Sequence, residues 1–526
     1  MRTLPRFIFG LSKPFAVSLL ATLLWCAGLP HRALAADVIL DYRFGTSGTV
    51  IKPLESIGRD MALQADGKIV VVGERAFPNG GFVLARYNPD GSLDPTFGTG
   101  GIPGVVVTIF PNQSQYSGAN TLLIQPDGKI LAGGYVRTTP TTDGYDFGLA
   151  RYNPNGTLDT SFGTGGTVTT DFATKSDQML DMALQPDGKI VCVGSAYYVN
   201  QQQQYELAMV RYNSNGTVDT GFGTAGKVNS NTTWGERATS IVLRPDGKIW
   251  VGGQIINLNT IWDMAVARYN SDGSVDASFG TGGLISFDRG TSDDGVKDLL
   301  LQPDGKLVVT GVGAHLVIVR LNEDGTPDPT FIGPPANENL SPEDIKLQAD
   351  GKFLVGVTIN SDFGLLRLNS DGTLDTTFDG DGRASANLGG FNPTTDNVAA
   401  IAIQPDGKIV VAGASGGYIS GSSFIGFALV RFQTTARPPA VPYDFDGDGK
   451  ADLGVFRPSN GSWYVRQSSN GALSGFKWGA AGDLPEPADF DGDSRNDFVI
   501  FRNGAWYIVN SFDSTIRGAQ FGTTGD

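Results

Sequence analysis

Apolar residues along this chain occur in short runs that Gly, Pro and Asp residues separate. A typical run, Ile190 to Val193, follows directly on the turn-forming residues Pro186 to Lys189. Short runs with such boundaries predict β-strands joined by tight turns, because helices need longer stretches with a 3.6-residue period. The 72 Gly residues fit this pattern, since Gly readily adopts the positive φ that tight turns require. The sequence therefore predicts an all-β protein with many short strands.

The triplet Asp-Gly-Lys marks an internal repeat. Around each copy the order of features is the same: an apolar run, a segment like Leu149 to Asn153, a second turn, and the pattern Leu-Asp-x-x-Phe-Gly. Two hairpin turns in each repeat predict four antiparallel strands, which make one blade of a β-propeller. We interpret the Asp of the triplet as a turn residue rather than as a metal ligand or a catalytic group. In the seven copies of this repeat the triplet begins at Asp66, Asp127, Asp187, Asp246, Asp304, Asp350 and Asp406.

An Arg and an Asp lie eight residues apart across the second turn of six repeats. A three-residue loop at Pro89 to Gly91, a type I turn followed by Gly, places Arg86 opposite Asp94. We predict that each pair forms a structural cross-strand ion pair, worth well under about 1 kcal/mol if it is exposed. The pairs are Arg86–Asp94, Arg151–Asp159, Arg211–Asp219, Arg268–Asp276, Arg320–Asp328 and Arg367–Asp375.

Arg431, in the seventh repeat, has no Asp eight residues later. The matching Leu-Asp-x-x-Phe-Gly pattern begins instead at Leu40, near the N-terminus. We therefore expect the N-terminal segment to supply the outer strand of the last blade and Asp41 to meet Arg431. This arrangement would close seven blades into a ring and remove two exposed sheet edges.

These repeats resemble the delta-60 repeat family, bacterial proteins of unknown function that are expected to form β-propellers. The resemblance covers residues 37–433 and implies a seven-bladed β-propeller, but it implies no ligand, because none is assigned to the family. Asp350 follows Asp304 by only 46 residues, so we expect shortened loops in that blade.

A Pro-rich linker over residues 434–442 precedes a different repeat over residues 443–526. Asp residues recur there at positions 1, 3, 5 and 9 of two loops that begin 45 residues apart. Such a loop, with the backbone carbonyl of position 7, offers the oxygen ligands that Ca²⁺ prefers. Position 12 is Val455 or Ile500 rather than Glu, so neither loop is an EF-hand. The predicted ligands are Asp444, Asp446, Asp448, Lys450 and Asp452 in the first loop, and Asp489, Asp491, Asp493, Arg495 and Asp497 in the second.

The two loops resemble the FG-GAP repeats of integrin α-type propellers, also called VCBS-like repeats, and this resemblance implies bound Ca²⁺. Ser494 replaces Gly449 of the first loop, so we expect the second site to be weaker. An acidic turn without metal is the alternative. Trp478 to Asp483 precede the second loop and are matched by Phe521 to Asp526, so we expect the repeats to be incomplete and to continue beyond residue 526.

The first 36 residues predict a secretory signal peptide. A basic start is followed by an apolar run from Phe15 to Leu29, and Ala33 to Ala35 fits a cleavage site. An uncleaved membrane anchor is the alternative, although the run is short for a bilayer. We expect a secreted, periplasmic or cell-surface protein with no membrane span in the mature chain.

Charge and cysteine content narrow the function further. The formal net charge is −15, and loss of the four basic residues in the first 36 lowers it to about −19. Such a surface repels phosphate backbones, which argues against nucleic-acid binding. Only Cys192 remains after residue 36, so the mature chain has no intramolecular disulfide. Its alternation with apolar residues predicts a buried side chain.

Function is expected on the face opposite the two Asp-Gly turns of each repeat, because the longer connections lie there. Acidic residues on these connections include Asp171, Asp177, Asp288, Asp293 and Asp294. Together with aromatic residues they suggest a glycan or an extracellular protein as the partner. The aromatic candidates are Tyr135, Tyr145, Tyr197, Tyr198, Tyr205, Trp262 and Tyr418.

Catalytic motifs are weak. His315 is the only His beyond residue 36, and its apolar surroundings predict a structural role within a strand. The sequence contains no recognisable Ser/His/Asp set, Cys/His metal cluster or phosphate loop. Carboxylates on the long-loop face keep open a secreted carbohydrate-active enzyme, either a glycosidase or a lyase. Three interpretations therefore remain: an exported binding or adhesion protein, such an enzyme, and a purely structural surface protein.

Overall fold

The structure is a computed structural model, and it describes most of the chain beyond the first 37 residues. Among the described residues every regular element is a β-strand, and none forms a helix able to cross a membrane. The described residues are 38–75, 80–99, 101–111, 116–138, 144–172, 176–198, 204–229, 236–256, 262–288, 293–335, 340–388, 396–419, 422–433, 441–446, 450–488, 490, 495–509, 511 and 516–520.

The strands follow the repeats. Two short strands, β1 (Ile39–Leu40) and β2 (Thr49–Lys52), precede the first repeat. Repeats one to four each contribute four strands: β3 (Ser56–Leu63), β4 (Ile69–Arg75), β5 (Phe82–Tyr87), β6 (Val105–Thr108); β7 (Ser117–Ile124), β8 (Ile130–Arg137), β9 (Tyr145–Tyr152), β10 (Thr167–Thr170); β11 (Ser176–Leu184), β12 (Ile190–Tyr198), β13 (Gln204–Tyr212), β14 (Lys227–Asn229); β15 (Glu236–Leu243), β16 (Ile249–Ile256), β17 (Trp262–Tyr269), β18 (Leu284–Phe287).

The remaining strands complete the repeats and form the tail. They are β19 (Gly295–Leu301), β20 (Leu307–Val312), β21 (Leu316–Leu321); β22 (Pro342–Leu347), β23 (Phe353–Ile359), β24 (Asp362–Leu368), β25 (Arg383–Ala386); β26 (Asn397–Ile403), β27 (Ile409–Ile419), β28 (Ser422–Gln433); and, in the tail, β29 (Leu453–Arg457), β30 (Ser462–Arg466), β31 (Leu473–Lys477), β32 (Leu484–Pro485), β33 (Phe498–Arg502), β34 (Ala505–Val509), β35 (Ile516–Gln520).

Each repeat is an antiparallel sheet of the propeller type, and apolar side chains pack between consecutive repeats. The sheets of the first three repeats are joined only by single residue pairs, Glu74 with Gly118 and Tyr145 with Ser176. One core layer contains Val71 of the first repeat together with Ala412 and Phe427 of the last. The first and last repeats therefore share a core.

The Asp-Gly turns form as their chemistry predicts. The N–H of Gln125 donates to the carbonyl of Lys129, and the N–H of Gly128 donates to the carbonyl of Gln125, both at 2.8 Å. Gly128 has a φ of 81°, which a residue with a side chain rarely adopts. A Cβ added to Gly128 would lie 3.3 Å from Cγ of Pro154 in the second turn of the repeat. The two turns of a repeat are therefore neighbours at one end of the sheet.

The fourth strand of each repeat begins later than the turn chemistry suggests. After the second turn only one residue pair forms, Tyr87 with Leu93, and the chain then turns away. The strand that completes the first sheet is β6, in which Val105 lies opposite Ala85 of β5. The pattern Leu-Asp-x-x-Phe-Gly is thus a turn rather than a strand. Its Asp94 carboxylate accepts hydrogen bonds from the N–H and hydroxyl of Thr96.

The Arg–Asp pairs are present, but they are buried rather than exposed. Arg151 Nε lies 2.8 Å from Asp159 Oδ2, and both side chains are only 8% exposed. The same guanidinium also donates to the carbonyl of Ser214 in the next repeat and lies 4.4 Å from the ring centroid of Phe162. Four other pairs make the same kind of bond, so these pairs link two repeats, and their arginines are Arg86, Arg211, Arg268 and Arg320.

The N-terminal segment pairs with the last repeat. β1 and β2 both lie antiparallel to β28, with Ile39 opposite Gln433. The predicted contact between Asp41 and Arg431 is present, with Oδ2 and Nη2 2.8 Å apart. Arg431 also donates to the carbonyl of Pro89 in the first repeat, as five of the other six arginines do to the repeat that follows them.

The fifth repeat has a three-stranded sheet in the part of the chain that is described. Its β20–β21 connection contains only three residues, Gly313 to His315, in line with the shortened loops expected there. The prediction that His315 lies within a strand was wrong, because this residue is exposed in that turn. A groove of about 530 Å³ runs beside β21, where other repeats have a fourth strand, and Ile332 borders it. Cys192, by contrast, is fully buried as predicted.

Candidate functional site

The strand ends opposite the Asp-Gly turns, which we call the long-loop face, carry the aromatic candidates in repeats two to four. The rings of Tyr135 and Tyr145 meet edge to face with centroids 5.3 Å apart, and those of Tyr197 and Tyr205 lie 5.0 Å apart. All four side chains are half-buried. The side chains of Tyr198 and Tyr418 lie outside the described residues.

Arg237 joins two of these aromatic residues. Its guanidinium carbon lies 3.7 Å from the ring centroid of Tyr205 and 5.0 Å from that of Trp262. Burial lowers the pKa of Arg237, while Tyr205 and Asp293 act in the opposite direction. Asp293 also accepts a hydrogen bond from the backbone N–H of Trp262 at 3.3 Å. Sequence reasoning missed Arg237, although it is the only charged residue at its position in the seven repeats.

A second polar group lies beside the Tyr135–Tyr145 pair. The hydroxyl of Tyr135 donates to Glu74 Oε2, and Arg59 Nη2 lies 2.6 Å from Glu74 Oε1. Burial and the Glu74 carboxylate raise the pKa of Tyr135, so this phenol stays protonated and acts as a hydrogen-bond donor. These contacts hold the second repeat against the first at the long-loop face.

Carboxylates form two compact sets at the same end of the sheets. Oxygen atoms of Asp146, Asp171 and Asp177 lie within 4.8 Å of one another. The carboxylates of Asp263, Asp288 and Asp294 form an equivalent set two repeats later, again within 4.8 Å. Asp177 and Asp294 are fully buried, whereas Asp171 and Asp288 are exposed. The sequence placed four of these residues on the long-loop face but did not group them.

The first strands of the repeats surround a further polar cavity of about 340 Å³. Four carboxylates line it, of which Asp344 is buried and the other three, Asp60, Asp181 and Asp298, are half-buried. Each accepts a hydrogen bond from a backbone N–H of the next repeat; Asp60, for example, accepts from Leu122 at 2.6 Å. Burial raises the pKa of Asp60 to about 7 and that of Asp181 to about 6. Burial and the neighbouring Asp344 also raise the pKa of Asp298.

Lys346 is the one cation bonded to this carboxylate group among the described residues, through Asp344. Burial alone would lower the pKa of Lys346, but the charges of Asp344 and Asp298 hold it above its ordinary value. Arg59 and Lys297 also border the cavity but form ion pairs with Glu74 and Glu343. The cavity therefore stays acidic.

The first tail loop brings three of its predicted ligands together. Oxygens of Asp444, Asp446 and Asp452 lie within 4.8 Å of one another. Asp452 Oδ2 accepts hydrogen bonds from the N–H groups of Phe445 and Asp446. Lys450, the predicted carbonyl ligand, is exposed beside them. Asp448 lies outside the described residues.

The second tail loop is described only in part. Asp497 Oδ2 accepts from the N–H of Phe490 at 2.8 Å, which matches the bond that Asp452 makes in the first loop. Asp497 is fully buried and Arg495 is half-buried. Asp489, Asp491 and Asp493 lie outside the described residues, so the structure brings no second set of predicted ligands together.

A family model described as "Domain of unknown function (DUF5122) beta-propeller" matches seven segments of the chain. No curated protein matches the chain. The matched residues are 64–97, 125–162, 185–222, 244–279, 302–331, 348–378 and 404–434.

Three solved structures illustrate the similarity in fold. Virginiamycin B lyase from Staphylococcus aureus is 12% identical, with 76% of this chain and 92% of that chain covered and a TM-score of 0.34. A polysaccharide lyase, an ulvan lyase bound to a GlcA–Rha3S unit, is 13% identical, with 72% and 96% covered and a TM-score of 0.42. A glucose dehydrogenase is 12% identical, with 59% and 95% covered and a TM-score of 0.34.

Proposed function

We propose that this chain, a β-propeller repeat protein with seven segments of the DUF5122 type, is an exported glycan-binding module. The observation that carries the proposal is the aromatic surface on repeats two to four, where Arg237 lies between Tyr205 and Trp262. Half-buried rings held by a guanidinium offer flat apolar faces in a fixed position, and the carbon–hydrogen faces of a sugar pack against such rings. The carboxylates beside them accept hydrogen bonds from sugar hydroxyls.

The charge of the surface favours a neutral glycan. The chain has 54 acidic and 39 basic residues. Two carboxylate sets among these acidic residues lie on the long-loop face. A polyanionic glycan would be repelled by such a surface. We therefore expect neutral oligosaccharides to bind more tightly than sulfated or uronic-acid-rich ones.

A glycan array followed by calorimetry tests this function. The best neutral oligosaccharide should lose about tenfold or more in affinity when Tyr205→Ala or Trp262→Ala removes a ring, which corresponds to about 1.4 kcal/mol. Tyr42→Ala is the matched control, because Tyr42 is also half-buried beside an arginine, Arg43, but lies on the Asp-Gly side. Absence of any glycan ligand, or equal losses in all three variants, would refute the proposal.

The same array separates a binding protein from the carbohydrate-active enzyme. Glycosidases place their two carboxyl groups at least about 5 Å apart, with one free to reach the substrate. Each carboxylate set here contains a fully buried member, Asp177 or Asp294, which no substrate can reach from solvent. This geometry suits a binding surface better than an acid–base pair. Release of shortened or unsaturated sugars from the array would favour the enzyme instead.

We also propose that the seven sheets close into a ring through β1 and β2. The support is the pairing of both strands with β28, the Asp41–Arg431 contact, and the approach of the backbone of Gly58 to that of Gly413. In the mature protein, Ile39→Cys with Gln433→Cys should cross-link on mild oxidation and migrate faster on a non-reducing gel. Ile39→Cys with Asp246→Cys is the control, and equal cross-linking of both pairs would exclude closure.

The tail is proposed to bind Ca²⁺ through its first loop, as the Asp444, Asp446 and Asp452 set suggests. Addition of Ca²⁺ to the chelated full chain should slow hydrogen exchange in β29 and β30, measured by mass spectrometry. Asp446→Asn should remove that protection, and Asp381→Asn, in an exposed turn of the sixth repeat, should retain it. Protection that survives in Asp446→Asn would exclude this ligand set.

Export is proposed from the first 36 residues alone. Expression of the full chain in a bacterial host should place the protein outside the cytoplasm, with an N-terminus near Asp37. Replacement of the apolar run from Phe15 to Leu29 by polar residues should retain it in the cytoplasm. A protein that remains membrane-bound with an intact N-terminus would indicate an anchor.

A further inference from the structure

The carboxylate sets occupy the same three positions at several junctions between repeats. In the second repeat, Asp146 lies five residues before the repeat's Arg, and Asp171 directly follows the fourth strand. The third member, Asp177, comes from the first strand of the next repeat. Its Oδ2 accepts a hydrogen bond from the N–H of Phe172 at 2.7 Å. Each set therefore bridges two neighbouring sheets.

The junction between the fourth and fifth repeats has the same construction. Asp263, Asp288 and Asp294 stand at the three equivalent positions. The N–H of Asp294 donates to the carbonyl of Trp262 at 2.7 Å, so the backbone of one repeat fixes the carboxylate of the next. Asp294 is fully buried, and its partner Asp263 is only 7% exposed.

The junction between the sixth and seventh repeats supplies an independent observation. Asp362, Asn387 and Asp396 stand at the three positions, and the Asp362 carboxylate interacts with the Asn387 amide and with the charge of Asp396. Asp396 is 1% exposed, and its carboxylate lies beside the Ser415 hydroxyl and the backbone N–H of Leu388 without a hydrogen bond of normal geometry to either. Such a buried carboxylate strongly favours a cation as its partner.

At each junction, the first position and the facing third position on the next repeat are either both acidic or both not acidic. Where the first position is Gly, as at Gly81 and Gly426, the facing residue on the next repeat is Ser117 or Ser56. At the junction between the third and fourth repeats both positions are acidic, with Glu206 facing Glu236. Turn or strand chemistry gives no reason for two acids to be gained or lost together across a junction. A ligand that is bound by both acids gives such a reason.

Electrostatics point to the same conclusion. At the junction between the second and third repeats, Lys227 partly offsets the negative charge of the carboxylates, because it donates to the carbonyl of Asp171 at 2.6 Å. Among the described residues, no cationic side chain is bonded to Asp362 or Asp396. The carboxylate oxygens at each junction match the preference of a hard divalent cation such as Ca²⁺.

We propose that the junctions between repeats four and five and between repeats six and seven each bind a divalent cation of the Ca²⁺ type. The cation is held by Asp263, Asp288 and Asp294 at the first of these and by Asp362 and Asp396 at the second, where the Asn387 amide positions Asp362 by donating a hydrogen bond to it. These sites are distinct from the tail loops and do not depend on the glycan-binding function. They would lock neighbouring sheets together at the long-loop face.

The first test counts bound ions in the full mature chain by native mass spectrometry in Ca²⁺. Asp294→Asn and Asp396→Asn should each lower the count by one, and the double variant should lower it by two. Asp406→Asn, a change in an exposed Asp-Gly turn, should leave the count unchanged. Asp446→Asn, in the tail, should lower the count separately. Counts that stay at the wild-type value in both junction variants would overturn the proposal.

The second test uses the sign of a stability change and does not depend on counting ions. In chelator, Asp396→Asn removes a buried like charge, so it should raise the unfolding midpoint of the propeller repeats. In Ca²⁺, the same variant should fall below the wild type, because it has lost a ligand. A shift of the same sign and size in both conditions indicates a purely structural carboxylate and overturns the proposal. Asp362→Asn gives an independent measurement at the same junction.

Discussion

Removal of the Asp41 carboxylate by Asp41→Asn perturbs the contact that joins the N-terminus to the last repeat. Asp41 Oδ2 lies 2.8 Å from Arg431 Nη2 and 3.0 Å from Lys408 Nζ, and the Asp41 side chain is only 2% exposed. Burial alone would raise the pKa of Asp41, but Lys408 and Arg431 hold it below its ordinary value. The carboxylate is therefore ionised at neutral pH and neutralises a buried guanidinium.

The expected loss of stability follows from what remains after the substitution. Loss of one partner of a buried ion pair typically destabilises by about 3–5 kcal/mol, because the other charge stays buried and uncompensated. Arg431 keeps the carbonyl of Pro89, and its guanidinium carbon still lies 4.6 Å from the ring centroid of Phe44, which moderates the effect. Lys408 is partly exposed and is free to turn to solvent. We expect Asp41→Asn to lower the free energy of unfolding by about 2–4 kcal/mol.

Urea unfolding, followed by tryptophan fluorescence and circular dichroism, measures this loss. Asp406→Asn is the exposed control, since Asp406 also contacts Lys408 but is 55% exposed, and it should change stability by less than about 0.5 kcal/mol. Asp159→Asn breaks the equivalent buried pair with Arg151, which lies within one repeat, and should lose as much as Asp41→Asn. If Asp41→Asn loses no more than Asp406→Asn, the N-terminal segment does not clasp the last repeat.

Three further predictions concern buried groups of the propeller repeats. Because the raised pKa values of Asp60, about 7, and Asp181, about 6, make the folded state bind more protons than the unfolded state, stability should fall as pH rises from about 4 to 7 and then level off. Thermal melts in chelator should show this slope, and Asp60→Asn should flatten it; a stability that rises across this window would contradict the assignment. Cys192 is fully buried and burial raises its thiol pKa, so a thiol reagent should label it only on unfolding, at a rate that urea increases. Gly58→Ala places a Cβ 2.4 Å from the carbonyl oxygen of Gly413 and should lower the unfolding midpoint in urea. Gly407→Ala is the control for backbone strain alone, because Gly407 has a φ of 83° but a Cβ there would meet no atom within 4 Å.

Turn chemistry is local, and it made most of the fold predictable from the sequence. The Pro-Asp-Gly turns fixed the register that sets Arg86 opposite Asp94, and the displaced Leu-Asp-x-x-Phe-Gly pattern predicted the Asp41–Arg431 contact. The burial of these pairs was not predictable, because it depends on the next repeat, whose turn accepts a hydrogen bond from six of the seven arginines. The position of β6 was not predicted for a similar reason, because two turns rather than one separate β6 from its partner strand β5.

The candidate site was predictable by composition but not by geometry. Aromatic residues on long connections identified the surface, yet Arg237, which holds two of the rings, lies on the first strand of its repeat rather than on a long connection. The junction carboxylates come from three positions in two repeats, so no single motif contains them. A comparison of the repeats with one another, position by position, would have revealed that the acids at Asp263 and Asp294 are matched by those at Asp362 and Asp396.

The aromatic surface and the junction carboxylates share the same strands, and this couples the two proposals. Trp262 and Asp263 are adjacent on β17, so their side chains lie on opposite faces of one sheet. A cation bound by Asp263 and Asp294 would fix the end of that strand and therefore the ring that faces the glycan. Neutral-glycan affinity should then fall when Ca²⁺ is chelated, and Asp294→Asn should remove this dependence while Asp446→Asn keeps it. A neutral-glycan affinity that does not change when Ca²⁺ is removed would mean that the sheet holds Trp262 in place without a cation.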